Sequence, residues 1–221
     1  MQSDSLGLLH RIQNQLQSIY EINVEYDIRH FTITDRLIAA TLGNHKNSSP
    51  EQLLINQQDD CLDISLFLDP SILESLQDDN PYNKLHSENL KSYWIAVEGV
   101  SHFLYIAWRA NYDRQVSQLE LELQAEIDKF VCATELFKQQ KTNIDQQALW
   151  ERLFRNFYLH DYLNSEEIKR YQQANEYAGE FCKTIYMQYK KLQQPTFNYK
   201  QLRRFYRLGQ HKKMAHITST T

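Results

Sequence analysis

Five side chains whose types suit acid–base or metal chemistry fall at helical spacing on two neighbouring segments. Glu98, His102 and Tyr105 are four and three residues apart, so a helix would carry all three on one face. Glu122 and Glu126 are four residues apart on the next segment. Burial would move the pKa of such groups toward neutrality, where they transfer protons efficiently. These five residues are therefore the candidate catalytic residues of the chain.

Two segments must form helices to position this cluster. Residues 93–108 read YWIAVEGVSHFLYIAW, with apolar residues on every side of a helical wheel, which predicts a helix buried all round. Ser117 and Glu120 have the spacing of a capping box at the start of a second helix, and the short connection predicts an antiparallel hairpin over residues 87–137. Facing residues then have numbers that sum to about 227. This sum places Glu98 level with Lys129, His102 with Ala125 and Glu126, and Tyr105 with Glu122.

Three interpretations of the cluster follow from its residue types. An ion-pair and hydrogen-bond network that fixes helix register is the one favoured, and Arg109 would extend it at the end of the same face. General acid–base work by Glu98 and His102 is a second interpretation. A metal site is the third, but the di-iron motif has Glu-x-x-His whereas this chain has Glu-x-x-x-His with a single histidine in the hairpin. The sequence thus predicts neither a metal nor a cofactor.

The composition predicts a mainly α fold. The chain has 221 residues, of which 42% are hydrophobic, with only five glycines and four prolines. The pattern predicts a multi-helix bundle of six to eight helices around the 87–137 hairpin. It also predicts a small antiparallel β-sheet within residues 22–68. Its strands are expected at 22–28, 52–56 and 62–68. Other helices are expected at 5–20, 37–42, after Asp69-Pro70, around 149–158, at 165–194 and after 198.

The cysteines and the apolar runs predict a cytoplasmic protein. Cys61, Cys132 and Cys182 are odd in number and far apart, which is typical of reduced thiols. No basic, apolar leader begins the sequence, and no run is long and apolar enough to span a membrane.

Charge is distributed unevenly along the chain. All 28 acidic residues lie at or before Glu180, and nine of the 24 basic residues follow it, so the first part has a net charge of −13. Residues 1–197 are predicted to form one helical domain with the small sheet at 22–68, and 198–221 a basic helix followed by a loose tail from 211. The candidate interaction residues are Lys200, Arg203, Arg204, Phe205, Arg207, Lys212 and Lys213. They could dock on the acidic body, on a protein partner, or on nucleic acid or an acidic membrane surface.

No nucleotide-binding, hydrolase, zinc-protease or kinase motif is present in the sequence. The leading expectation is a non-enzymatic interaction or regulatory protein with an acidic helical body and a basic C-terminal helix. An enzyme, or a protein that binds a small ligand or metal at the Glu/His/Tyr cluster, is the alternative. Nucleic-acid binding through the C-terminal helix is a third. A protein partner is expected, and a homodimer is compatible with the sequence.

Overall fold

A computed structural model describes residues 2–43, 49–58, 61–142, 145–156, 163–191 and 197–219. Within these residues the chain forms nine α-helices and a three-stranded sheet, so the predicted fold class is confirmed. The helices are α1 (Gln2–Tyr20), α2 (Arg36–Leu42), α3 (Pro70–Asp78), α4 (Leu90–Ala110), α5 (Gln118–Gln139), α6 (Gln146–Phe154), α7 (Ser165–Lys191), α8 (Tyr199–Tyr206) and α9 (Gln210–Thr218). The strands are β1 (Thr32–Ile33), β2 (Glu51–Gln58) and β3 (Cys61–Leu68).

Helix α4 lies at the centre of the core. It contacts α1, α3, α5 and the sheet, so it is surrounded on several sides, as its apolar residues predict. Helices α4 and α5 are antiparallel, because the side-chain pairs between them join lower-numbered residues of α4 to higher-numbered residues of α5. These pairs are Tyr105 with Glu120, Ser101 with Asp128 and Glu98 with Lys129. Helix α7 packs against α5.

The sheet is mixed, not antiparallel throughout. Its order is β1-β3-β2, with β2 antiparallel and β1 parallel to β3. The strand predicted at 22–28 does not form, because glutamines of α1 bind the backbone of that segment. The side chain of Gln17 accepts a hydrogen bond from the Val24 amide, and Gln13 bonds both the Ile28 amide and the Tyr26 carbonyl. The first strand begins at Thr32 instead.

The C-terminal region is more ordered than its composition predicts. Residues 211–218, expected in a loose tail, belong to α9, which buries Lys213 and Ile217 and contacts α7. The predicted helix positions 157–158 and 192–194, and the turn at 59–60, lie outside the described residues. None of the described helices has the length and apolarity needed to cross a bilayer.

Candidate functional site

Four carboxylates, one histidine and one lysine form a partly buried group that we call the His102 cluster: Glu51, Glu98, His102, Glu122, Glu126 and Lys129. Glu98 and His102 lie one turn apart on α4, and Glu122, Glu126 and Lys129 lie on α5. Glu51 comes from β2, and no pattern in the sequence connects this strand with the hairpin. Gly99 allows this approach, because a Cβ there would lie 2.9 Å from Cγ of Glu51 and 2.8 Å from a methyl of Leu66.

The imidazole of His102 lies between two carboxylates. Its side chain is about 94% buried; Nδ1 lies 3.4 Å from Oε1 of Glu51, and Nε2 lies 3.4 Å from Oε2 of Glu122. Burial alone would lower the pKa of His102, but the two carboxylates outweigh it and hold the pKa well above its ordinary value. The Nε2 atom nevertheless makes no hydrogen bond with any described residue.

Lys129 neutralises the other end of the cluster. Its Nζ donates to Oε1 of Glu126 at 2.5 Å and to Oε2 of Glu98 at 3.1 Å. The pairing of Glu98 with Lys129 is the one predicted from the hairpin register. Burial lowers the pKa of Lys129, but the carboxylates of Glu126 and Glu98 more than reverse this effect and raise it.

The cluster carries more negative charge than its cations offset. Burial raises the pKa of Glu51, and the carboxylates of Glu98 and Glu122 raise it further despite His102. The pKa of Glu126 is raised in the same way, first by burial and then by Glu98 and Glu122, despite Lys129. Tyr171 of α7 faces the same charges, since burial and then Glu122, Glu98 and Glu51 raise the pKa of its phenol. Burial and the neighbouring carboxylates thus both favour the neutral form of Glu51 and Glu126.

Three members of the cluster are arranged so that they could hold a metal ion. One carboxylate oxygen each from Glu98 and Glu122 and a ring nitrogen of His102 all lie within 4.8 Å of one another. With bonds of about 2.0–2.1 Å, adjacent ligand atoms of a tetrahedral site lie about 3.4 Å apart. The Nε2–Oε2 separation between His102 and Glu122 equals that length.

Tyr105 and Arg109 belong to a different group, which we call the Arg109 cluster. Tyr105 was predicted level with Glu122, but its hydroxyl donates to Oε1 of Glu120 at 2.5 Å. Arg109 Nη2 donates to the same oxygen at 2.5 Å and to the Leu208 carbonyl at 3.2 Å. The partner of Tyr105 on α5 therefore lies two positions from the predicted one, although the Glu98–Lys129 pair agrees with the predicted register, and Tyr105 binds Glu120 and not His102.

A third buried group, the Asp128 cluster, was missed by the sequence analysis. Asp128 accepts hydrogen bonds from Tyr20, from Ser101 Oγ at 2.6 Å and from Gln124 Nε2 at 2.9 Å. Lys213 of α9 is 0% exposed and donates to Oε1 of Gln124 at 2.8 Å. Burial raises the pKa of Asp128 to about 6 and lowers that of Lys213 to about 7. The hairpin register was a partial signal, because the predicted sum of about 227 places Ser101 level with residue 126, two positions from Asp128.

The candidate interaction residues divide between the core and the surface. Phe205 and Lys213 are buried within the chain, and Arg203 donates to the Ile19 carbonyl at 2.8 Å and pairs with Glu21 at 2.6 Å. Arg207 is exposed but donates to the Glu21 carbonyl at 3.1 Å. Three further basic residues of α8 and α9 are exposed: Lys200, Arg204 and Lys212. Whether these contact a partner stays a prediction.

No protein family, curated protein or solved structure shows significant similarity to this chain. The geometry of the His102 cluster is therefore the basis for assigning a function.

Proposed function

We propose that this chain is a metal-binding helical protein in which Glu98, His102 and Glu122 hold one divalent ion. The observation that carries the proposal is the spacing of the three donors: one carboxylate oxygen each of Glu98 and Glu122 and a ring nitrogen of His102 lie within 4.8 Å of one another, and Nε2 of His102 is buried without a well-formed hydrogen bond to a described residue. A buried ring nitrogen that lacks a hydrogen bond has lost the stabilisation that water would give it. A divalent ion would replace the proton on Nε2 and bond this nitrogen directly.

The environment of His102 supports this function. Histidines that bind metals usually donate their other ring N–H to a carboxylate or carbonyl, which fixes the ring and raises its basicity. Glu51 stands in that position, 3.4 Å from Nδ1. The raised pKa values of Glu51 and Glu126 are consistent with a site that lacks positive charge.

The donor types indicate the class of ion. One imidazole and two carboxylates suit Zn²⁺, Mn²⁺ or Fe²⁺. Ca²⁺ and Mg²⁺ prefer oxygen ligands alone, and soft ions such as Cu⁺ prefer thiolates. A borderline transition metal is the ion that this set of donors fits best.

Metal binding by purified protein tests the proposal. After treatment with a chelator, titration with Zn²⁺ or Mn²⁺ should show one ion per chain by calorimetry and by elemental analysis of the desalted complex. The variant His102→Ala should lose this binding, because it removes the only ring nitrogen of the set. His211→Ala, which changes an exposed histidine of α9, is the matched control and should retain it.

Equal binding by the wild type and His102→Ala would contradict the site. Absence of stoichiometric binding would instead leave the cluster as an ion-pair network, with an imidazolium between Glu51 and Glu122. Circular dichroism of each variant separates loss of the site from loss of the fold.

A second candidate function, an interaction protein, rests on a separate observation. Lys200 and Arg204 border a groove of about 360 Å³ between α7, α8 and α9, which is also lined by Phe205, Leu208 and His216. Acidic residues do not occur among the described residues that line it. Such a surface would favour an acidic protein segment through charge complementarity.

Binding of a synthetic polyglutamate probe tests this second function. Changing Lys200, Arg204 and Lys212 to alanine should weaken binding about tenfold at low salt, since each exposed pair contributes up to about 1 kcal/mol. Fluorescence anisotropy measures the change. A control variant with Lys84, Lys91 and Lys169 changed to alanine removes the same charge from exposed positions elsewhere. An equal loss in both variants would show only an effect of net charge and would contradict a specific surface.

A further inference from the structure

The ammonium group of Lys129 lies between two carboxylates of the His102 cluster. Its Nζ lies 3.1 Å from Oε2 of Glu98 and 2.5 Å from Oε1 of Glu126. Glu98 is also a member of the proposed metal set. One carboxylate is therefore shared between the metal position and the lysine ammonium.

A further carboxylate, that of Glu126, lies beside the proposed metal position. In two-metal sites the ions lie about 3.5–4 Å apart, and carboxylates commonly bind both. Glu126 lies one turn beyond Glu122 on α5, and its Oε2 is buried without a hydrogen bond to a described residue. Glu98 and Glu126 thus supply a second pair of oxygen donors beside the first ion.

An ammonium group differs from a metal ion in that it cannot coordinate a ligand and is tethered to the chain. It carries one charge, donates hydrogen bonds, and repels a cation placed next to it. The side chain of Lys129 is about 90% buried, so water does little to screen this repulsion.

We infer that Lys129 limits the His102 cluster to a single metal ion by filling the second cation position between Glu98 and Glu126. Removing the ammonium takes away its hydrogen bond to each carboxylate and the positive charge that repels a second cation. A second divalent ion then binds there. This inference rests on the proposed metal-binding function.

The experiment compares metal stoichiometry in the wild type and in three variants of Lys129. Chelator-treated protein is titrated with Mn²⁺, and bound metal per chain is measured by elemental analysis. We expect one ion in the wild type and in Lys129→Arg, which keeps the charge, and two in Lys129→Ala. Lys129→Gln, which is neutral and closer in length, is also expected to bind two and serves if the alanine variant does not fold.

Electron paramagnetic resonance gives an independent readout. Two Mn²⁺ ions about 4 Å apart broaden and couple each other's signals, whereas a single ion gives an isolated six-line spectrum. A twofold rise in bound metal together with this coupling would support the inference. One ion in the wild type and still one in both neutral variants would overturn the role of Lys129 while leaving the metal site intact. No ion in the wild type would overturn the proposed function and the inference with it.

Discussion

Replacing Arg109 with methionine is expected to lower the free energy of unfolding by about 3–5 kcal/mol, the usual cost of removing one partner from a buried ion pair. Arg109 and Glu120 are each 2% exposed, and the Arg109 guanidinium also binds the Leu208 carbonyl at the junction of α8 and α9. The variant leaves the Glu120 carboxylate buried. Among the described side chains, Tyr105 is then the one that still donates a hydrogen bond to it. Urea denaturation measured by circular dichroism and by tryptophan fluorescence gives the change.

The double variant Arg109→Met/Glu120→Leu is the matched control for this prediction. It removes both charges and replaces them with apolar side chains, so it should be more stable than Arg109→Met alone. A loss of less than about 1 kcal/mol in the free energy of unfolding, which is typical of exposed ion pairs, would contradict this prediction. The Arg109–Glu120 pair would then not stabilise the packing of α8 and α9 on the core.

Stability is expected to rise by a few kcal/mol between about pH 7 and pH 10 because of Lys213. Burial lowers its pKa in the folded protein to about 7, whereas the unfolded chain has the ordinary value of about 10.5. Between these two values the unfolded state binds more protons than the folded state, so raising the pH favours folding. Below pH 7 the ammonium is charged in both states, and its burial penalty is fully present.

Lys213→Met should remove this rise and be more stable than the wild type near pH 6–7, since it no longer buries a charge. Lys212→Met changes the exposed neighbour and should keep the wild-type pH dependence. Urea midpoints at intervals from pH 6 to pH 10 measure both effects. The same change of stability with pH in the wild type and in Lys213→Met would contradict the prediction. It would show that the Lys213 ammonium is buried without a penalty, because Gln124 and the ring of Tyr105, 4.5 Å away, stabilise it.

At lower pH, Asp128 has the opposite effect on stability to that of Lys213. Burial raises its pKa to about 6, above the ordinary value of about 3.8. The folded state therefore holds the proton over this interval, and stability falls as the pH rises from about 4 to 6. The combined contribution of Asp128 and Lys213 to the free energy of unfolding is therefore lowest near pH 6–7.

Local sequence signals predicted the elements well where they depend on neighbours in the chain. Ser117 accepts from the Glu120 amide at 3.1 Å, Asp35 binds the amides of Leu37 and Ile38, and Pro70 follows the Asp69 cap. The alternation of 62–68 predicted β3. These signals work because caps and alternation involve residues a few positions apart.

Long-range partners were not predictable in the same way. Glu51 contacts His102 although the two residues are 51 positions apart in the chain. Gln13 and Gln17 bind the backbone of residues 24–28, so this alternating segment does not form the predicted strand. The register that paired Glu98 with Lys129 correctly still assigned Tyr105 to Glu122 instead of Glu120. Register depends on how side chains of two helices interlock, and spacing along one helix does not contain that information.

The sequence by itself determined that the chain is mostly helical, that α4 is buried, and that acidic and imidazole groups share its central region. Tertiary structure alone decided which of these groups meet: Glu51 and Glu122 at His102, Glu120 at Arg109, and Lys213 at the Asp128 cluster. Periodicity fixes the face on which a side chain lies. The packing of helices and sheet fixes what lies opposite it, and the chemistry of a buried charge depends on that opposite group.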